Sequence, residues 1–340
     1  MNPTWAFLVS FGVCVLLMPR LIPALVKLKA TQVISDDGPE RHHIKQGTPT
    51  MGGLGIILAF VAGIAFTAWL TSQYHEVGRW IVPVVAVVLV TLGYSALGAL
   101  DDYLIIKRGR AEGLNREQKL AAQFALAIVF VIWLAKFVGP GIGIARFGFL
   151  VHSDVMWREA FLGPLNWVYY VFAVLLMVWM SNAVNITDGL DGLVAGLTPI
   201  CSVALSYPVM RAFAPGIEWI PAVTWAMAGA CLGFLVYNAN PAKVFMGDTS
   251  ALAIGPALTA VALLSGQEWV FLVFAGVFTV ELASVAMQIV SYKLTRRRIF
   301  KMAPLHHHFE LSGWSEPKIV TTFWVAGAAL AVIGIALVGP

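Results

Sequence analysis

The sequence predicts an all-α polytopic membrane protein of about ten transmembrane helices with a cytoplasmic-side active-site cleft, and three observations carry that prediction. Of its 340 residues 59% are hydrophobic and 12% charged, against roughly 25% charged in an average soluble domain. Apolar runs of the ~20 residues needed to cross a hydrocarbon core recur along the whole chain with only short polar breaks. Seven of the eight aspartates, Asp36, Asp37, Asp101, Asp102, Asp188, Asp191 and Asp248, fall on one side of the resulting topology, and only Asp154 falls on the other. A single integral-membrane domain over 1-340 follows.

The first span, near 4-26, has no small-residue cleavage site behind it, and Met18-Pro19-Arg20 continues into apolar sequence, so it reads as a retained helix rather than a signal peptide. The second, 52-72, is entered through Gly47-Thr48-Pro49-Thr50-Met51-Gly52-Gly53. With Lys45 just upstream, hydroxyls above a helix N-terminus are candidates to hold phosphate, although the stretch lacks the lysine placement of a Walker loop. The third, 79-99, ends at the pair Asp101-Asp102, followed by Lys107, Arg108 and Arg110. The fourth is placed at 118-138.

The fifth and sixth spans, 165-182 and 190-208, flank Ser181-Asn182-Ala183-Val184-Asn185-Ile186-Thr187-Asp188-Gly189-Leu190-Asp191-Gly192. Two carboxylates and two amides between such apolar runs are expensive unless paired, hydrated or ion-bound, which makes the stretch a functional-site hypothesis. The i,i+3 spacing of Asp188 and Asp191 would put both on one helical face, and Gly189 and Gly192 would let a ligand approach the backbone. The seventh span, 219-237, runs into Asn238. The eighth, 248-265, opens on Gly247-Asp248-Thr249-Ser250, which is equally a helix N-cap signature.

The ninth, 269-291, carries Glu281, Ser284 and Gln288 at i, i+3 and i+7, a polar stripe that should face the bundle or a wet cleft; an interhelical hydrogen bond is the simpler reading. The tenth, 319-338, follows a loop holding Arg296, Arg297 and Arg298 and then His306, His307 and His308. Consecutive histidines cannot all point at one ion, so hydrogen bonding to phosphate or sugar is preferred there.

Sixteen of the 22 Lys and Arg residues fall in loops 27-51, 100-119, 238-247 and 292-318, five fall on the opposite side and Arg20 lies inside the first span. Basic residues accumulate in cytoplasmic loops, so both termini should face outward. The net charge of +4 reflects this bias and implies no nucleic-acid partner. Converging carboxylates would repel one another without a cation. Mg²⁺, which takes one or two carboxylates together with substrate phosphates, suits them better than zinc. Cys14, Cys201 and Cys231 lack metal or disulfide spacing and read as packing residues.

The motifs DDGPE at 36-40, KQGTPTMGG at 45-53, DDY at 101-103, SNAVNITDGLDGL at 181-193, NANPAKVFMGD at 238-248 and RIFKMAPLHHHFELSGW at 298-314 closely resemble the phospho-N-acetylmuramoyl-pentapeptide transferase family, within the polyprenyl-phosphate N-acetylhexosamine-1-phosphate transferases. The resemblance implies transfer of the phospho-sugar-peptide from UDP-MurNAc-pentapeptide to undecaprenyl phosphate in the lipid bilayer, giving lipid I and UMP with Mg²⁺ as cofactor. It implies catalytic roles for Asp101, Asp102 and Asp248, with Asp101 the candidate base and Asp248 the metal ligand. Lys45, Thr50, Asn182, Asn185, Asp188, Asp191, Asn238, His306, His307 and His308 are the implied substrate-binding residues, and a homodimer is compatible with the family. One departure is Gly247-Asp248-Thr249-Ser250-Ala251, where the family usually has Gly-Asp-x-Gly-Ser, so no role of that serine transfers to Ser250. Transfer of N-acetylglucosamine-1-phosphate to the same lipid is the nearest competing reading. An ion-coupled transporter is a second, against which stand the interfacial acids and the lack of duplicated halves.

Overall fold

The computed structural model describes residues 1–28, 30, 47–73, 80–109, 113–138, 166–212 and 217–338. Lys45, Arg110, Asp154 and the DDGPE stretch at 36-40 lie outside the described residues. Ten helices are long and apolar enough to cross a membrane, and among the described residues there is no strand. The spans are α1 (Pro3–Lys27), α2 (Gly53–Ser72), α3 (Ile81–Arg108), α4 (Arg116–Trp133), α5 (Asn166–Thr187), α6 (Leu193–Ala212), α7 (Ile220–Asn238), α8 (Asp248–Ser265), α10 (Gly276–Thr295) and α12 (Glu316–Val338). Two short helices, α9 (Glu268–Phe274) and α11 (Leu305–Glu310), complete the set.

Two boundaries correct the sequence expectation. The third helix does not stop at residue 99 but continues to Arg108, where Gly109 adopts φ 61° and donates its N–H to the Ile105 carbonyl at 3.0 Å. A left-handed glycine terminates a helix without a Cβ penalty, and Lys107 and Arg108 in the last turn suit its carbonyl end. Asp101 and Asp102 therefore sit inside a helix rather than at a loop edge. The expected span 269-291 is two helices, α9 and α10, that meet at Ala275.

At the centre stands α8, whose residues from Thr249 to Ser265 are all buried. It packs along α3 and α5, while α7 packs along α1 and α6. Water drives no apolar association between helices in lipid, so close packing has to come from small residues. Gly98 of α3 meets the Asp248 backbone, Gly255 of α8 meets the Met180 carbonyl, and Gly229 of α7 meets the Phe7 carbonyl, each so close that a Cβ would collide. Several hydroxyls inside the spans return their protons to their own helix, as Thr91 does to Val87 at 2.7 Å and Thr259 to Gly255 at 2.8 Å, which satisfies those donors within the apolar layer. Leu16, Val129, Val325 and Val332 are exposed on the outside of the bundle, as lipid-facing residues should be.

Candidate active site

Two neighbouring carboxylates of α3 do different jobs. Successive residues on a helix point in directions about 100° apart. Asp102, 4% exposed, turns towards α8 and accepts from the backbone N–H of Asp248 (3.1 Å), the N–H of Thr249 (2.9 Å) and the Thr249 hydroxyl (2.6 Å). It caps α8 from a neighbouring helix, where a negative charge is favoured by the exposed amides. Asp248 is the first residue of α8, and its own side chain makes no capping bond. Gly247 precedes it at φ 72°, and a Cβ there would press on Asp102 Oδ2 at 2.7 Å and Thr50 Oγ1 at 2.8 Å. Only glycine combines that backbone with that space.

Asp101 turns the other way, into a cleft of about 1440 Å³ between α3, α4, α5, α8 and α10. Its Oδ1 accepts the Leu114 N–H at 2.8 Å and its Oδ2 the Lys119 ammonium at 2.9 Å. Lys119 also reaches Asp248 Oδ2 at 2.7 Å, while Asn185 donates to Asp248 Oδ1 at 2.7 Å. One cation thus joins two carboxylates brought together from residues 101 and 248. Lys119 is held there by α4, whose N-terminus is a capping box: Asn115 accepts from the Gln118 N–H at 2.7 Å and Gln118 Oε1 accepts from the Asn115 N–H at 3.2 Å.

Sequence reasoning missed Lys119, which reads as one more positive-inside lysine. Its signal was Gln123 one turn further on the same face. Gln123 is fully buried and accepts from Asn182 Nδ2 at 2.6 Å. The cleft is polar at this end and apolar beyond, where Leu175, Trp179, Leu282, Val285 and Ile289 line it.

The remaining candidates divide between the cleft and its supports. Asn182 and Asn185 line the cleft on the last turns of α5. Helix α5 ends at Thr187, so Asp188 and Asp191 lie in a turn and not on one helical face as the spacing suggested, and Gly192 at φ 79° closes that turn before α6 begins at Leu193. Asp191 is buried and accepts from Asn240 Nδ2 and the Ala242 N–H, both at 3.0 Å. Asn238 is buried too, accepting from the Gly192 N–H and donating to the Val244 carbonyl, each at 2.9 Å. Both pin the turn to the 239–247 segment. Thr50 is 7% exposed, and the Gly52 and Gly53 amides at the start of α2 donate to the Phe245 and Met246 carbonyls at 2.9 Å, so those two amides already have partners. The three histidines point three ways: His306 Nδ1 to Glu281 at 3.1 Å, His307 Nδ1 to Glu310 at 2.6 Å, and His308 Nδ1 to the Lys301 N–H at 3.1 Å. Ser250 turns inward against Gly53, its buried hydroxyl without a partner.

A scan against family models matches residues 84–266 to glycosyl transferase family 4. Proteins named phospho-N-acetylmuramoyl-pentapeptide-transferase from Bacillus mycoides (strain KBAB4), Bacillus thuringiensis (strain Al Hakam) and Bacillus cereus (strain AH187) are each 43% identical over 327 residues, covering 96% of this chain and 95% of the relative. The chain belongs to the phospho-N-acetylmuramoyl-pentapeptide-transferase family, within glycosyl transferase family 4. In this transferase the polar residues Asp101, Lys119, Asn185 and Asp248 come together where α3, α4, α5 and α8 meet.

Among the described residues no three His, Cys, Asp or Glu side chains form a ready metal nest. The donor set, hard oxygens of Asp248 and Asn185 beside a wide opening, fits an ion that completes its shell with substrate phosphates, which is the habit of Mg²⁺ and not of zinc. Asp188 reports the same shortage of positive charge. Its carboxyl is pushed well above the usual range by burial first and then by Asp248, Asp102 and Asp191. A carboxyl raised on folding leaves stability intact below the unfolded value of about 3.9 and erodes it as pH climbs through the folded value. Asp188→Asn is thus expected to melt above wild type in Mg²⁺-free detergent buffer at about pH 8, the two converging near pH 4. Equal melting at both pH values would refute the strain.

Proposed function

We propose that the transferase moves phospho-N-acetylmuramoyl-pentapeptide from its UDP carrier to undecaprenyl phosphate, producing lipid I and UMP in the first membrane step of peptidoglycan synthesis. The observation that carries the reading is the Asp101–Lys119–Asp248 bridge at the polar end of a cleft with a long apolar wall. A prenyl chain suits that wall, and its phosphate would then lie against the bridge. An oxygen of the lipid phosphate attacks the sugar-side phosphorus of the UDP-sugar. The P–O bond to the bridging oxygen breaks, and its electron pair leaves with UMP. Asp101 accepts the proton of the lipid phosphate. Lys119 offsets charge building on the transferring phosphoryl group, a role electrostatics favours in a site partly closed to water.

Bound Mg²⁺ would be held by Asp248 and would polarise the diphosphate and neutralise the departing UMP. Asn185 orients Asp248, Asn182 lines the same wall, and Asp188 addresses the nucleotide. Lys45 and Thr50 belong to the phosphate-facing loop, and His307 and His308 to the loop that meets the sugar-peptide. Asp102, Asp191 and Asn238 keep these groups in place.

The basic bias puts this end in the cytoplasm, where the soluble nucleotide is made, and both termini outside. Reporter fusions within 100-119 and 139-164 test it, and an external loop 100-119 would sink the arrangement. For the reaction, purified protein is incubated with undecaprenyl phosphate, Mg²⁺ and either UDP-MurNAc-pentapeptide or UDP-N-acetylglucosamine. UMP release with the first alone is expected. Product with the second alone would reverse the substrate assignment.

A further inference from the structure

The polar stripe of α10 grips the histidine loop at two points. Gln288 Oε1 accepts from the Ile299 and Phe300 N–H groups at 2.9 and 3.0 Å, and its Nε2 donates to the Phe300 carbonyl at 2.9 Å. Two turns earlier, Glu281 Oε2 lies 3.1 Å from His306 Nδ1, and both side chains are 0% exposed. His306 faces no solvent and does not line the cleft. Its other nitrogen, Nε2, has no partner and sits directly against Gly189, where any Cβ would strike it.

We propose that Glu281 is a positioning residue that acts through His306: the pair forms a strut from α10 to Gly189 that sets where Asp188 stands for the nucleotide. The proposal rests on the transferase reading above. A buried carboxylate and a buried imidazole each lose much by being left alone, so their contact fixes the ring and decides which nitrogen faces the turn. A partner behind a functional histidine commonly serves that purpose. The turn needs the support. It is five residues of irregular backbone, 188–192, and it carries the Asp188 carboxyl next to Gly189. Gly189, lacking a side chain, is what allows the ring to bear on it.

The experiment compares full-length wild type with Glu281→Ala, Glu281→Gln, His306→Ala and the double variant Glu281→Ala/His306→Ala, reading UMP release against each substrate. Glu281→Ala is expected to raise KM for UDP-MurNAc-pentapeptide about tenfold, with a much smaller change in KM for undecaprenyl phosphate. Gln retains an acceptor oxygen and should recover most of the loss. The double variant should match His306→Ala alone, since a residue acting through another adds nothing once that other is gone. Glu281→Leu, which fills the same space, stands in if the alanine variant does not fold. Losses that multiply in the double variant, a Gln variant no better than Ala, equal rises in both KM values, or unchanged kinetics would each overturn the strut. Wild-type protein releasing no UMP would overturn the transferase reading, and the strut with it.

Discussion

Asp248→Asn is expected to lower UMP release by about a hundredfold or more, the scale of losing a charged ligand to a catalytic ion. Capping does not confound the test, because α8 is capped by Asp102 and the Asp248 side chain makes no cap bond. Asparagine keeps the size of the group and an oxygen for Asn185 or Lys119. The charge is removed, and with it one of the two bonds that Asp248 accepts from Asn185 and Lys119, together with the modest ~0.3–1 kcal/mol that a helix N-terminus gains from a nearby anion. The measurement is UMP release against Mg²⁺ concentration, with monodispersity and melting followed in detergent. A folded variant with wild-type turnover and an unchanged Mg²⁺ midpoint would show that Asp248 does not hold the ion, leaving the same titration to be run on Asp101 and Asp188.

Lys119→Met should cost as much, about a hundredfold in turnover, as removal of one preorganised charge from a developing transition state does. Methionine follows the path of the lysine stem, so packing along α4 is kept while Asp101 and Asp248 lose the cation between them. The Lys119 side chain is 23% exposed, and water will relieve part of the repulsion, so the fold should survive with a lower melting temperature. Mg²⁺ should then raise that temperature more in the variant than in wild type, because two carboxylates are freed to meet it. Wild-type turnover in Lys119→Met, or an Mg²⁺ response no larger than that of wild type, would remove Lys119 from the mechanism.

Much of this molecule is local and therefore legible in a single chain. Span number follows from runs of apolar residues matched to the thickness of a bilayer, and the ten expected spans correspond to ten observed helices. The polar interruptions were legible too, since such groups are rare among apolar runs without a reason. What each one does was not. Asp188 and Asp191 share a helical face only if the helix goes on, and it stops at Thr187. Glu281 and Gln288 are a stripe on a helix, yet their partners lie in the loop that follows, at His306 and Phe300.

The sharpest division falls between Asp101 and Asp102. The sequence by itself determined that two carboxylates stand side by side next to an apolar run, and that another opens the eighth span. Only the tertiary structure decided that Asp102 caps α8 while Asp101 faces Asp248 across Lys119. The close crossing of α3 over α8 at Gly98 sets which side of α3 meets the helix and which meets the cleft, and neighbouring positions on a helix diverge by about 100°. That crossing depends on the packing of residues about 150 positions apart, which no local pattern records.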